Sequence, residues 1–251
     1  MTGFVGSPRF AGMVACAFLL GCGGGSDAGG GALDPGAVGA ELPALAGEGS
    51  GTLEVEARIE ATPRDEEAAR AGDLSTTLEV DVLDARGEAV SGATVVVDSG
   101  LGPVELSEGG CSRRYCGRQN GYARTYAISV TRGADFLDGV RLSGPAFHTV
   151  TSPATGETVD ASGALTVRWD QESQADHVRF ETREMDWEIA EDPGTFEVPA
   201  GTLRTRDDRP EDERVRIRRE RRLSLAGGTG TPTLVVSVRS GRAFLTEPVA
   251  R

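Results

Sequence analysis

Lysine is absent from this chain of 251 residues, so its 26 basic side chains are all arginine. Schiff-base chemistry and the lysine of a phosphate-binding loop are excluded with it. Only 2 histidines are present, too few for a histidine-built metal centre or an elaborate proton relay. Positive charge is scarce relative to the 39 acids, and the formal charge of −13 has the wrong sign for displacing counterions from a nucleic acid. The motifs G-x-S-x-G, H-E-x-x-H, C-x-x-C and the dinucleotide fingerprint are missing, so no familiar catalytic or cofactor-binding pattern is on the chain. Aromatics are thin at 5%, with 2 Trp, while 35 residues are Gly. What is present is mostly short alternating apolar runs separated by turn residues.

The one long apolar run, Phe10 to Gly21, reads FAGMVACAFLLG after Arg9. It is shorter than the roughly 20 residues of a membrane span and has the length of a signal-peptide core. It ends in Leu19-Leu20-Gly21-Cys22, with glycines following. These residues resemble the lipobox of bacterial lipoproteins. The resemblance implies a signal peptide at residues 1–21, diacylglycerol on Cys22, and membrane attachment through that lipid. Gly23 in place of Asp implies, for proteobacterial lipoproteins, the outer membrane, on a face left open. Residues 22–50 are Gly-, Ala- and Pro-rich without an aromatic. Such a composition buries too little apolar surface to fold, and reads as a disordered tether spanning roughly 25–30 Å.

From residue 51 the pattern has period two. Leu53, Val55, Ala57 and Ile59 alternate with Glu54, Glu56, Arg58 and Glu60, as in an antiparallel strand with one solvated face. Thr62 to Gly72 reads as a short helix, with Thr62 as cap, Pro63 at the first position and acids in the first turn. Strands follow at Leu78–Val82, Gly92–Val97, Pro103–Leu106, Gly121–Thr131 and Phe136–Ser143. Short strands at this spacing predict a β-sandwich over 51–147. The stretch VDVLDARGEAVSGATVVV is similar to the strand–turn–strand hairpin of bacterial Ig-like domains. Cys111 and Cys116 are the only thiols left after export and lipidation. An oxidising compartment would pair them, and their spacing favours a structural clip over a redox pair. Arg113, Arg114 and Tyr115 inside that loop are a candidate contact surface.

A second unit is expected at 148–251. Ser152-Pro153 and then Leu165-Thr166-Val167-Arg168-Trp169 resemble the opening of fibronectin type III and related Ig-like modules. That resemblance makes Trp169 a core anchor; the alternative is a sugar-stacking platform, shared with Trp187. Further strands read at Val178–Thr182, Trp187–Ile189, Thr195–Val198, Arg214–Leu225, Thr233–Val238 and Ala243–Thr246. Arg214, Arg216 and Arg218 lie opposite Val215 and Ile217 and form an exposed stripe. The stripe either binds anions or is a solvated face paired with acidic neighbours. Arg219 and Arg221 break that alternation and suggest a bulge or an edge. Asp207, Asp208, Glu211, Asp212 and Glu213 form an acidic loop without the spacing of a known calcium site. His148 and His177 stand alone in their regions.

The chain is therefore expected to be all-β, with two tandem antiparallel β-sandwiches behind a tether. The expected function is non-catalytic: a binding, adhesion or scaffold module of the cell envelope, without metal or cofactor. Its candidate partners are the membrane, an envelope protein or an anionic glycan, and not nucleic acid. A carbohydrate-binding module using Trp169 or Trp187 is the second reading, and a hydrolase with an unfamiliar site the third.

Overall fold

The computed structural model describes residues 47–65, 67–189, 191–205, 209–224 and 233–247. The lipobox, most of the tether, Asp207, Asp208 and the glycine-rich stretch at 227–230 lie outside them. The described residues belong to one compact unit. Strands dominate the described residues and no α-helix occurs among them, as the alternation predicts.

Strands β2 (Leu53–Pro63) and β3 (Leu74–Asp84) form the first long hairpin, in register from Leu53↔Asp84 to Pro63↔Leu74. Every second residue of each strand is buried, so the sequence period is the packing period. The expected helix after Thr62 is not there. Thr62 and Pro63 are still paired in the β2–β3 ladder, and only Ala71–Asp73 makes a single 3-10 turn. Asp73 caps it by accepting from the backbone N–H groups of Ala69 and Arg70, both at 3.2 Å. Glu67, assigned by sequence to the first turn of the helix, instead accepts from the backbone N–H of Ala243 at 2.9 Å. A tertiary contact has overridden a local propensity.

After β3, Asp84 closes its turn by accepting from the backbone N–H groups of Arg86 and Glu88, at 2.8 and 2.9 Å. Those N–H groups hold its carboxyl below the usual range. Gly87 follows at φ 77, a conformation that suits glycine. Then come β4 (Thr94–Ser99), β5 (Val104–Glu105), β6 (Ser107–Glu108), β7 (Tyr115–Asn120), β8 (Thr125–Arg132) and β9 (Asp135–Ser143). A short β1 (Glu48–Gly49) pairs with β9, giving a five-stranded sheet in the order β1-β9-β8-β4-β5.

The second half contributes β10 (Val150–Ser152), β11 (Thr158–Asp160), β12 (Leu165–Trp169), β13 (His177–Glu181), β14 (Asp186–Ile189) and β15 (Thr195–Val198). It ends in two long strands, β16 (Glu211–Ser224) and β17 (Thr233–Glu247), paired without a register shift over their length. Strands β10-β12-β15 form a small sheet of their own. The remaining strands form one large sheet in the order β14-β13-β16-β17-β2-β3-β7-β6, with β11 also pairing to β17.

Two apolar cores result. The first lies between the five-stranded sheet and the β17–β2–β3–β7 part of the large sheet, around Ile59, Leu78, Tyr126, Ile128 and Leu142. The second lies between the three-stranded sheet and the β13–β16–β17 part, around Val167, Trp169, Phe180, Ile217 and Phe244. Enclosing a side chain such as Ile59 or Phe244 is worth about 1.5–3 kcal/mol.

The first core and the large sheet both draw on residues from either side of the expected 147/148 boundary. Strand β17 supplies Leu234, Val236 and Val238 to the first core and Phe244 to the second. It pairs in parallel with β2, from Leu234↔Ala57 to Val238↔Ala61. The β11–β17 pairing is parallel as well, so two junctions of an otherwise antiparallel architecture run the other way.

Candidate functional site

The arginine-rich strand β16 crosses from one core to the other, and its two faces have different fates. Val215 and Ile217 point into the second core, and Arg219 continues on the same face. There is no bulge at this position. Arg219 looks like a break in the pattern only because a charged residue occupies an inward site. Its side chain is 0% exposed, as is that of Asp192. Arg219 Nε and Nη2 stand 2.7 and 2.5 Å from Asp192 Oδ2. Nη1 donates to the Ala146 carbonyl at 3.1 Å, and Nη2 also donates to the Ser173 carbonyl. A buried charge needs this degree of satisfaction.

Asp192 is satisfied in turn. Trp169 Nε1 and Gln171 Nε2 donate to its Oδ1 at 2.9 and 2.8 Å, and the Ala175 N–H donates to Oδ2 at 3.2 Å. Burial alone would raise this carboxyl, but the indole N–H, the Arg219 charge and the Gln171 amide outweigh it and hold it below the usual range. Trp169 is thus a core anchor with its polar tip engaged, and the sugar-platform alternative for it is closed. His148 lies beside this cluster, fully buried. Burial, helped by the Arg219 charge, lowers its pKa to about 3, against a weaker pull from the Ile217 backbone and Asp192. It is a neutral imidazole sealed in a polar seam. Sequence reasoning missed Asp192, whose isolated position gives no sign that it answers Arg219.

The opposite face of β16 carries Arg214, Arg216, Arg218, Glu220 and Arg222. The exposed stripe is only partly real. Arg218 is buried and lies 3.5 Å from Glu220, because neighbouring long side chains on β13 and β17 cover it. Arg222 pairs with Glu188 and Glu220 at 3.3 and 3.5 Å. Arg179 pairs with Asp186 and, at 3.4 Å, with Glu181. Arg239 on β17 reaches Glu60 at 3.2 Å. Arg214 is half-buried. Arg216 is exposed and makes no ion pair or side-chain hydrogen bond with the described residues.

Arg214, Arg216 and Arg239 line an open groove of about 180 Å³, together with Ser240, Gly241 and, on its far wall, Thr62, Pro63 and Asp65. It opens where β2 leaves β17. The parallel ladder ends at Val238↔Ala61, and β11 takes up the same side of β17 only at Leu245.

The contact surface expected in the cysteine loop does not stand as drawn. Cys111 and Cys116 are joined as a disulfide. Tyr115 opens strand β7 and is buried, donating its hydroxyl to the Val90 carbonyl at 3.0 Å. Arg113 pairs with Asp81 and Glu56 at 2.7 and 3.2 Å, and Arg114 with Glu108 at 3.4 Å. The loop's basic residues are spent on the acids of β2, β3 and β6.

Of the acidic loop, Glu211 meets Arg183 at 2.9 Å, and Glu213 is buried with its carboxyl raised by that burial. No three metal-ligating side chains come together among the described residues. His177 lies on the surface, with Nδ1 3.6 Å from Glu188. Trp187, on the edge strand β14, is 53% exposed, and its ring centroid lies 6.4 Å from that of Phe196 at a tilt of 46°.

No family model matches the chain, and no curated protein matches it either. Among solved structures, it is similar to fibronectin(III)-like modules of Clostridium thermocellum CbhA. The identity is 11%, the match covers 76% of this chain and 95% of that one, and the TM-score is 0.23. It is also similar to the Yersinia pseudotuberculosis adhesin InvE, at 16% identity and a TM-score of 0.26, covering 77% of this chain and 61% of that one. At TM-scores this low, neither likeness bears on what the chain does.

Proposed function

We propose that the chain is a lipid-anchored, non-catalytic binding protein of a bacterial cell envelope. In this reading Cys22 carries the lipid, the residues between it and strand β1 are the tether, and the two-core body meets a partner. The outer membrane is the proposed site, from Gly23 following Cys22.

The observation that carries the reading is the unbroken β16–β17 ribbon through both cores. Strand β1, directly after the tether, joins β9 close to the Leu53 end of β2, where Thr52 Oγ1 donates to Asp135 at 2.7 Å. The second core lies beyond the other end of β2. A load between anchor and second core would therefore run along β2 and β17. Their five parallel pairs would be sheared together and not opened one by one. Such a body suits holding and spacing. Several of the ionisable side chains it gathers are engaged with one another, as Arg219 is with Asp192 and Arg113 with Asp81.

The test has two parts. Metabolic labelling with a palmitate analogue should mark the full chain and sediment it with membranes, and Cys22→Ala should abolish both. The detergent-solubilised full chain should be retained by polysaccharide or protein extracted from its own envelope. An unlabelled wild-type chain overturns the anchor, and release of hydrolysed product from a retained fraction overturns the non-catalytic reading.

One observation favours a second reading. The exposed Trp187 ring beside Phe196 offers an aromatic surface for a sugar face, though the two rings are tilted and not coplanar.

A further inference from the structure

We infer that the groove between the end of β2 and the β16–β17 ribbon is a subsite for one acidic sugar residue, a uronate, held through its carboxylate by Arg216. The inference rests on the binding-protein reading above and deepens it by naming a ligand class.

The chain is strongly acidic, yet this groove is lined by three guanidinium groups. Around it, acids have been matched to arginines: Glu220 to Arg218, Glu188 to Arg222, Asp186 to Arg179 and Glu60 to Arg239. Arg216 stands outside that matching, exposed at the groove mouth. Glu181, which is opposite it in the ladder, lies 3.4 Å from Arg179. A planar guanidinium with unused donors is built for bidentate capture of a carboxylate.

Gly241 pairs opposite Arg216 on the neighbouring strand and brings no side chain to that face, so a ligand can reach the ribbon beside the guanidinium. On the same face Arg239 Nε is buried and without a partner, although the same guanidinium reaches Glu60 through Nη2. Buried polar groups are nearly always satisfied, so this donor on the groove's wall is one that a ligand's oxygen would complete.

The far wall favours an acidic sugar over a bare anion. Asp65 stands on the far wall. A carboxylate there repels a free phosphate or sulfate, but it accepts hydrogen bonds from sugar hydroxyls. Donors on one wall and an acceptor on the other match a ring that carries a carboxylate and hydroxyls together. At about 180 Å³ the groove is below the size of a pocket that encloses a drug-sized ligand, and it is open. That geometry suits one residue of a longer chain running across the surface.

The experiment is calorimetric titration of the full chain in detergent with three probes: tetragalacturonate, its methyl ester and inorganic phosphate. Tetragalacturonate should bind; the methyl ester and phosphate should not. R216Q should weaken tetragalacturonate binding by about tenfold or more, the scale of losing a charge-assisted bidentate contact. Raising NaCl to about 0.5 M should weaken it as well, because the contact is exposed. R222Q, on the same face but outside the groove, should leave the affinity unchanged. Arg216 is exposed, so R216Q should melt with the wild type, and matching melting curves exclude misfolding as the cause of any loss.

Binding that R216Q does not change overturns the subsite, as does equal binding of the methyl ester. Phosphate bound as tightly as tetragalacturonate overturns the sugar and leaves a simple anion site. Failure of the wild type to bind tetragalacturonate also overturns the subsite. None of these outcomes touches the wider reading, which is decided by labelling and envelope retention.

Discussion

Acidification should destabilise this protein through His148, well before most carboxylates titrate. The imidazole is fully buried, with a pKa of about 3 in the folded chain against 6.5 when exposed. Above pH 6.5 both states are neutral, and His148 contributes nothing to the pH dependence. Below 6.5 the unfolded chain takes up a proton that the folded chain refuses. Each pH unit then removes about 1.4 kcal/mol until the folded pKa is reached. The loss is about 2 kcal/mol at pH 5, with a ceiling of about 5 kcal/mol near pH 3. Against a total stability of about 5–15 kcal/mol, that is a large share. Two buried carboxyls titrate near this window. Asp192, held low, weakens the fold only as pH drops through the carboxylate range. Glu213, raised by burial, acts in the opposite sense, because its strain is relieved by protonation. Both are present in His148→Leu, so the difference between the two proteins isolates the histidine. The assay is urea unfolding of wild type and His148→Leu from pH 7.5 to 4.5. Whatever the variant's absolute stability, its curve should fall less steeply than the wild type's, by about 2 kcal/mol between pH 6.5 and 5. Parallel curves would refute the claim that His148 is sealed and neutral.

Asp192→Ala should cost about 3–5 kcal/mol in chemical denaturation, because it strands Arg219 as a buried charge. It should also shift Trp169 fluorescence, since the indole N–H loses its acceptor; an unchanged midpoint and spectrum would refute the network. Gly144→Ala would place a Cβ 2.2 Å from the Tyr122 hydroxyl and 2.4 Å from Val236 Cγ1. It should lower stability by about 1–3 kcal/mol, read from the thermal midpoint.

The strands were legible because their burial follows a plain alternation. Leu53, Val55, Ala57 and Ile59 are inside, and so are Leu78, Val80 and Val82. The D-x-x-G turn was legible because Asp84 and Gly87 do local work. The helix after Thr62 was misread because its cues are local, whereas Glu67 is committed to β17, far along the chain. Strand β7 was hidden for another reason. Its inward positions are Tyr115, Gly117 and Gln119, which do not read as an apolar face. Gly117 is tied to close packing, since a Cβ there would meet Leu106 Cδ2 at 2.6 Å. The basic loop looked like a contact surface because a sequence cannot show that Asp81 and Glu56 lie beneath it.

The same limitation explains Arg219 and joins the seam to the groove. A strand that serves two cores must cross the gap between them, and at the crossing neither core fills the inward position. A polar side chain there needs partners from both halves. Arg219 takes Ala146 from the link after the first sandwich, and Asp192 and Ser173 from loops of the second. Strand β17 makes the same crossing. Beyond Val238 it loses β2, and β11 joins only at Leu245. The interval carries Arg239, Ser240 and Gly241, the floor of the groove. The buried ion pair and the open arginine groove are thus two consequences of one topological fact. The inward side of the crossing had to be closed by a matched pair, and its outer side was left open, with Arg216 at the opening.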